Sequence, residues 1–242
     1  MARAGYPQLQ QVGNRVFRGA STMFAITAER FRGFSSEADA RAQGFGNPQH
    51  AELRPWVSND PSFDKQLDEW TTKTYESLGA DASSILDAYN TLGNQMADEF
   101  NNWSRTAIRT SLPPFVDCLE KAGFRLKDRD YFINTMWDIE LFGIPLGKLE
   151  GEPYDWKPSR KPGTVEVGPP VPELRYVPSK EEADLAAAWY RCDHETGRVD
   201  RLLKEAREAE RKIVAKYADR LAELNPRLEQ VATRAAELVG QP

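Results

Sequence analysis

The last quarter of the chain carries one apolar or small residue at every third or fourth position. Side chains at this spacing lie on one face of an α-helix, and most of the other positions are Lys, Arg, Glu or Asp. The average step is about 3.5 residues, which is typical of a helix that packs along other helices. We call this set the C-terminal stripe; it consists of Leu185, Trp189, Cys192, Thr196, Val199, Leu203, Ala206, Ala209, Ile213, Tyr217, Leu221, Leu224, Leu228, Val231, Ala235 and Leu238.

The start of this helical region is marked by a capping box, because Ser179 is followed three residues later by Glu182. The pattern predicts one long, coiled-coil-like helix over residues 179–242. Gly197 weakens this helix locally. The stripe keeps its phase across Pro226, so we expect a kink near that residue rather than the end of the helix.

Two helices, joined either as a hairpin or as a single broken rod, are predicted before this region. Asp60 is a suitable N-cap for a helix that begins at Pro61. Gly79 ends that helix, and Asp81 can cap the next one. Apolar residues then recur at helical spacing to about Ile108.

Shorter helices are expected after the hairpin. Pro113-Pro114 indicates a new start, because proline suits the first turn of a helix and Gly123 can close a short segment. Asp128 can cap a further helix in the most aromatic part of the chain. We interpret this aromatic cluster as packed core.

Proline and glycine divide the chain into regions. Seven prolines between residues 151 and 178 exclude helix and favour an extended strap or linker, with one short edge strand at residues 164–167.

The predicted fold is mostly α, and it comprises a basic amphipathic segment (1–34), an irregular connector (35–60), a core of a helical hairpin and short helices (61–150), a Pro-rich extended segment (151–178) and the long C-terminal helix (179–242).

Composition narrows the class of protein. The chain has 242 residues and a formal charge of −5, which argues against a general nucleic-acid binder. No apolar run reaches the roughly 20 residues of a transmembrane span. Cys118 and Cys192 form no CxxC motif, so a reducing or redox-neutral compartment is the default expectation, with a single disulfide between them as the alternative.

The N-terminal segment is rich in arginine. Residues 1–34 contain five Arg and one acidic residue, and apolar residues recur at helical spacing. This segment resembles a mitochondrial transit peptide, and Arg32-Gly33-Phe34-Ser35-Ser36 resembles a processing site with cleavage after Phe34. The alternative is an ordinary basic helix or an arm that contacts an anionic partner.

No motif in the sequence indicates catalysis. The run from Cys192 to Glu195 gathers four polar side chains, but consecutive helical residues point about 100° apart and cannot converge on one metal ion. We expect Cys192 to lie in the stripe and the other three to face solvent. No catalytic, cofactor-binding or metal-binding residue is assigned, and no cofactor is expected.

The stripe itself is the candidate site, because a helix this long cannot cover its own apolar face. We expect it to bind other protein subunits through helix packing. The predicted partner interface consists of Leu185, Trp189, Val199, Leu203, Ile213, Tyr217, Leu221, Leu224, Leu228 and Val231.

These features favour a non-catalytic structural or accessory subunit of a large assembly. A transit peptide would make the assembly mitochondrial, such as the ATP synthase or a respiratory complex, with peripheral membrane association through the assembly. The alternative is a bacterial or phage interaction protein, either a virion component or a helical secretion substrate, located in the cytoplasm or the virion. A third hypothesis is an enzyme whose site is assembled from scattered residues.

Overall fold

The computed structural model describes residues 28–31, 33–47, 54–135, 138–152 and 154–238. The chain is mostly helical in this part, which confirms the predicted fold class. The α-helices of the described residues are α1 (Glu37–Gln43), α2 (Pro61–Leu78), α3 (Ala82–Lys121), α4 (Arg129–Thr135), α5 (Lys180–Glu195), α6 (Arg198–Lys216) and α7 (Ala218–Leu238). Two 3₁₀ helices span Ala28–Phe31 and Ile139–Phe142.

Four short strands form two antiparallel pairs. The strands are β1 (Trp56–Ser58), β2 (Lys148–Glu150), β3 (Val165–Val167) and β4 (Arg175–Val177). Trp56 lies opposite Val167 in the β1–β3 pair, and Lys148 lies opposite Val177 in the β2–β4 pair. The strand expected at residues 164–167 is β3. The Pro-rich segment is therefore anchored to its own chain at two places, as a strap rather than a free linker.

The expected break between two helices lies between α2 and α3. The Asp60 carboxylate accepts a hydrogen bond from the Ser62 backbone N–H at 2.9 Å, which caps the start of α2. Gly79 ends α2 with φ +122°, a conformation that glycine adopts without a Cβ clash. The 40-residue α3 then runs through the centre of the fold and buries side chains from Ala82 to Leu119.

The prediction that a new helix begins at Pro113-Pro114 was wrong, because α3 continues through both prolines to Lys121. A proline inside a helix removes an N–H donor and frees a carbonyl. The Arg129 side chain links the start of α4 to this part of α3: it donates to the Pro113 carbonyl at 3.4 Å and pairs with Asp117 at 2.7 Å. Burial of Phe115, the residue directly after Pro114, favours continuing the helix.

The irregular connector expected at residues 35–60 contains α1 and β1, which corrects that prediction. The Ser36 hydroxyl caps α1 by accepting from the Asp39 backbone N–H at 3.0 Å. Ala40 is fully buried where α1 packs against α5. The Arg41–Asp184 pair, at 2.5 Å, also joins the two helices.

The prediction of one long C-terminal helix was also wrong, because residues 180–238 form three helices. Gly197 separates α5 from α6 with φ +60°, and this left-handed conformation interrupts the helix. Tyr217 separates α6 from α7. Pro226, where we expected a kink, lies inside α7. Each of the three shorter helices contacts α3.

A disulfide joins helix α3 to helix α5. Cys118 of α3 and Cys192 of α5 are bonded across a separation of 74 residues. Cys192 is buried beside Trp189 and Phe115 in the largest core cluster. The single disulfide that the sequence left as the alternative is therefore present, because the packing of α3 on α5 brings together side chains whose pairing is not encoded in local sequence.

We predict that losing this crosslink destabilises the fold strongly. The Cys118→Ser/Cys192→Ser double variant should lower the free energy of unfolding by about 4 kcal/mol, since the crosslink restricts a long loop in the unfolded chain. Urea unfolding monitored by circular dichroism measures this difference. An unchanged urea midpoint, with both cysteines shown to be oxidised in the parent protein, would contradict the prediction.

Candidate functional site

Most of the residues predicted to contact partners pack against α3 of the same chain. Leu185, Trp189, Ile213, Leu221, Leu224 and Val231 are buried, whereas Val199, Leu203, Tyr217 and Leu228 are half-buried. The buried part of the stripe is therefore an interior face, and its assignment as an uncovered partner surface is corrected; Leu238, at the end of the stripe, is 57% exposed. The physical reason is that the helix breaks allow one chain to fold its stripe back onto its own long helix.

Three core clusters divide the stripe along α3. Each cluster joins one of the C-terminal helices, or the junction of two, to a different part of α3. Leu185 and Trp189 pack with Leu112 and Phe115; Ile213, Leu221 and Leu224 pack with Leu92, Met96 and Phe100; Val231 and Leu228 pack with Ala82 and Ile85.

The phase of the stripe shifts at the start of α6. Leu202 is buried there, and Leu203 is only half-buried. The shift follows from Gly197, because a left-handed residue between two helices rotates the second helix relative to the first. The prediction from the sequence assumed that the stripe continues through Gly197 without a change of phase.

Polar contacts reinforce the junction of α6 and α7 on α3. The Glu99 carboxylate accepts hydrogen bonds from Lys216 Nζ and Tyr217 Oη, each at 2.5 Å. The Lys216 ammonium and the Tyr217 hydroxyl together hold the pKa of Glu99 below its ordinary value. Arg220 also donates to Gln95 at 2.6 Å. Tyr217 therefore orients the junction as well as packing in it.

A buried ion pair lies between α5 and α6. The Arg198 Nε donates to Asp193 Oδ1 at 2.5 Å, and both side chains are at most 5% exposed. Burial raises the pKa of Asp193, and the neighbouring Arg198 charge opposes that shift. Arg198 also lies over the Phe115 ring, 4.3 Å from its centroid. We expected Asp193 to face solvent, and this expectation is corrected.

The ion pair depends on the helix break. Asp193 and Arg198 are five residues apart, a spacing that places side chains on different faces of a continuous helix. Gly197 turns the chain so that the first residue of α6 meets the last turn of α5. Sequence reasoning missed the pair because it treated Gly197 as a weak point inside one helix.

A cavity of about 370 Å³ adjoins this ion pair. Its walls come from the segment around α1 and from the facing sides of α5 and α6. Most of the lining is aromatic or aliphatic, and Asp193 and Arg198 provide its charged groups. The residues around it include Phe31, Phe34, Phe45, Trp189, Val199 and Leu202. Trp189 and Val199 are thus the two predicted interface residues that line this cavity.

A second buried carboxylate organises the loops beside α5. Glu182 is fully buried, and its side chain accepts hydrogen bonds from the Phe45 and Gly147 backbone N–H groups at 2.7 and 2.5 Å. The Tyr176 hydroxyl donates to it at 2.8 Å. Burial and this hydrogen bond raise the pKa of Tyr176 to about 12. Ser179 caps α5 as expected, but the Glu182 carboxylate joins three separate segments instead of closing a capping box.

The end of the predicted transit segment packs into the core. Ala28 is buried with Leu92 and Met96 of α3, and the Phe31 ring lies 5.8 Å from the Trp103 ring. The other residues of this segment up to residue 27 lie outside the described part of the chain. Cleavage after Phe34 would remove Ala28 and Phe31 from the core.

Comparisons with known proteins give no relative. No family model, no curated protein and no solved structure matches this chain. In the described residues, no helix has the length and apolar character needed to cross a membrane. The same part of the chain holds no group of three His, Cys, Asp or Glu side chains arranged to bind a metal ion.

We predict that Glu182→Gln destabilises the protein by about 2–3 kcal/mol. The amide nitrogen cannot accept hydrogen bonds, so at least one buried donor loses its partner. Glu181→Gln is the matched control, because Glu181 is exposed in the same helical turn and should cost less than about 0.5 kcal/mol. Urea unfolding of both variants measures the two costs.

The same substitution has a spectroscopic consequence. Removing the carboxylate charge should lower the pKa of Tyr176, which tyrosinate absorbance in an alkaline titration reports. Equal stability of the two variants, together with an unchanged tyrosine titration, would show that Glu182 does not join these segments.

Proposed function

We propose that this chain is a non-catalytic interaction protein that works in an oxidising compartment. The observation that carries the proposal is the Cys118–Cys192 disulfide, which lies in the core and links α3 to α5. Structural disulfides form and persist mainly in secreted proteins and in oxidising compartments. We therefore propose an oxidising compartment instead of the reducing compartment that the cysteine spacing had indicated.

The buried charged groups support a non-catalytic role. Glu182 is engaged with two backbone N–H groups and the Tyr176 hydroxyl, and Asp193 pairs with Arg198. Each arrangement connects separate segments of the chain and so has a structural purpose. Catalytic carboxylates, by contrast, direct a polar atom towards the substrate.

Between the two settings considered from the sequence, the structure favours an exported or virion-associated protein. A mitochondrial accessory subunit would need its transit peptide removed, and Ala28 and Phe31 would leave the core with it. A helical secretion substrate or a virion component retains these residues. Both candidates accommodate a core disulfide, because both function outside a reducing cytosol.

The contacts with partners are expected on the outer faces of the helices, because α3 covers the stripe. Only Phe63 is buried among the 18 residues of α2, and Tyr75 is 42% exposed on that helix. Val214 is exposed on α6. These faces remain available for other protein subunits in the folded chain.

Trapping the thiols in intact source cells tests the compartment. Free thiols are blocked with N-ethylmaleimide, the protein is denatured and reduced, and newly released thiols are labelled with a second reagent. We expect Cys118 and Cys192 both to carry the second label, because the disulfide hides them from the first. N-ethylmaleimide on both cysteines would contradict an oxidising compartment, and a cytosolic protein with a known free thiol is the control for complete blocking.

Native sizing of the same extract tests the interaction role. The isolated chain has a mass of 27.4 kDa, and we expect most of the native protein to migrate in a larger assembly. Migration as a monomer throughout would contradict the interaction role while leaving the compartment result unaffected.

A further inference from the structure

We propose that the cavity between α1 and the α5–α6 junction binds a neutral aromatic molecule that carries an N–H or O–H donor. This inference does not rest on the proposed interaction role. It rests on the size of the cavity, the rings in its walls and the position of the Asp193 carboxylate.

The size and walls of the cavity suit a small flat ligand. Its volume of about 370 Å³ falls within the range of small-molecule sites, which are mostly apolar with a few placed polar groups. The Phe45 ring lies 5.2 Å from Trp189 in an edge-to-face arrangement, and Phe34 lies 5.9 Å from Phe45. Rings held this way present fixed faces and edges to a further ring, an arrangement that aromatic pairs prefer.

The charges in the wall favour a neutral ligand. Asp193 and Arg198 bear opposite charges 2.5 Å apart and are both buried, so the described residues that line the cavity carry no net charge. A charged ligand would lose its hydration on entering the cavity without gaining a counter-charge. A neutral aromatic molecule avoids this cost and replaces water at an apolar surface.

Asp193 supplies the polar contact. Its Oδ1 accepts from Arg198 Nε, and the Trp189 side chain donates to the same carboxylate. An ionised carboxylate has about four acceptor positions, so it retains acceptor capacity. Asp193 and Gly33 both line the cavity, and a Cβ built on Gly33 would lie 3.8 Å from Asp193 Oδ2, so this oxygen lies beside Gly33 in the cavity wall. A donor on the ligand can reach the carboxylate there.

Indole and 1-methylindole are matched probes for this site. Both are neutral and aromatic, but only indole has an N–H donor. We expect saturable 1:1 binding of indole to the full-length oxidised protein, measured by ligand-observed NMR titration. We expect 1-methylindole to bind about tenfold more weakly, because it leaves the hydrogen bond to a charged acceptor unmade.

Two α6 variants locate the site. Val199→Phe fills the cavity and should weaken indole binding by about tenfold or more, whereas Val214→Phe adds the same ring on the exposed side of α6 and should leave binding unchanged. Circular dichroism confirms that both variants fold. If Val199→Phe does not fold, Phe34→Leu, which removes one aromatic wall and keeps an apolar side chain, should weaken indole binding in its place.

Three results would overturn the proposal. The first is the absence of saturable indole binding. The second is equal affinity of the cavity variant and the Val214→Phe control for indole. The third is equal affinity for the two probes, because the ligand class defined here requires a donor to Asp193.

Discussion

The packing of the C-terminal stripe on α3 is the interaction on which the rest of the fold depends. An amphipathic face of this length must be covered, and α3 is long enough to cover it within one chain because it extends over 40 residues. Three core clusters follow one another along α3, the first shared with α5, the second with α6 and α7, and the third with α7. The breaks at Gly197 and Tyr217 make this arrangement possible, since one straight helix would have carried the stripe away from the shorter elements near α5.

The break at Gly197 has consequences beyond packing. It brings Arg198 back onto Asp193, and the resulting ion pair forms part of the cavity wall. The disulfide holds α5 against α3 a short distance away, through Cys192, the residue preceding Asp193. A buried ion pair contributes less to stability than its distance suggests, because both charges lose hydration.

Local pattern predicted the elements better than their arrangement. The α2–α3 break followed from Gly79 and Asp81, and β3 followed from its alternating residues, because these signals act between near neighbours. Ser36 and Asp39 also form a local capping signal, which could have predicted α1 within the supposed connector. The continuation of α3 through Pro113-Pro114 is favoured by the burial of Phe115, which is a tertiary effect.

The candidate site was less predictable for the same reason. A glycine inside a helical pattern can either weaken a helix or end it, and Gly197 ends one because the chain gains packing on both sides. The Cys118–Cys192 bond joins residues 74 positions apart, and Glu182 gathers donors from three segments. Periodicity carries no information about such distant contacts. The apolar positions of the stripe were identified correctly as a packing face, but its covering surface was assigned to another chain.

Hydrogen–deuterium exchange of the oxidised monomer tests most directly whether α3 covers the stripe. The account predicts strong protection in the part of α3 that contains Leu92, Met96 and Phe100, and matching protection around Ile213, Leu221 and Leu224. These two groups of amides should also lose protection together as denaturant is added. Rapid exchange across α6 and α7 while α3 stays protected would contradict the account, because the stripe would then be uncovered in the isolated chain.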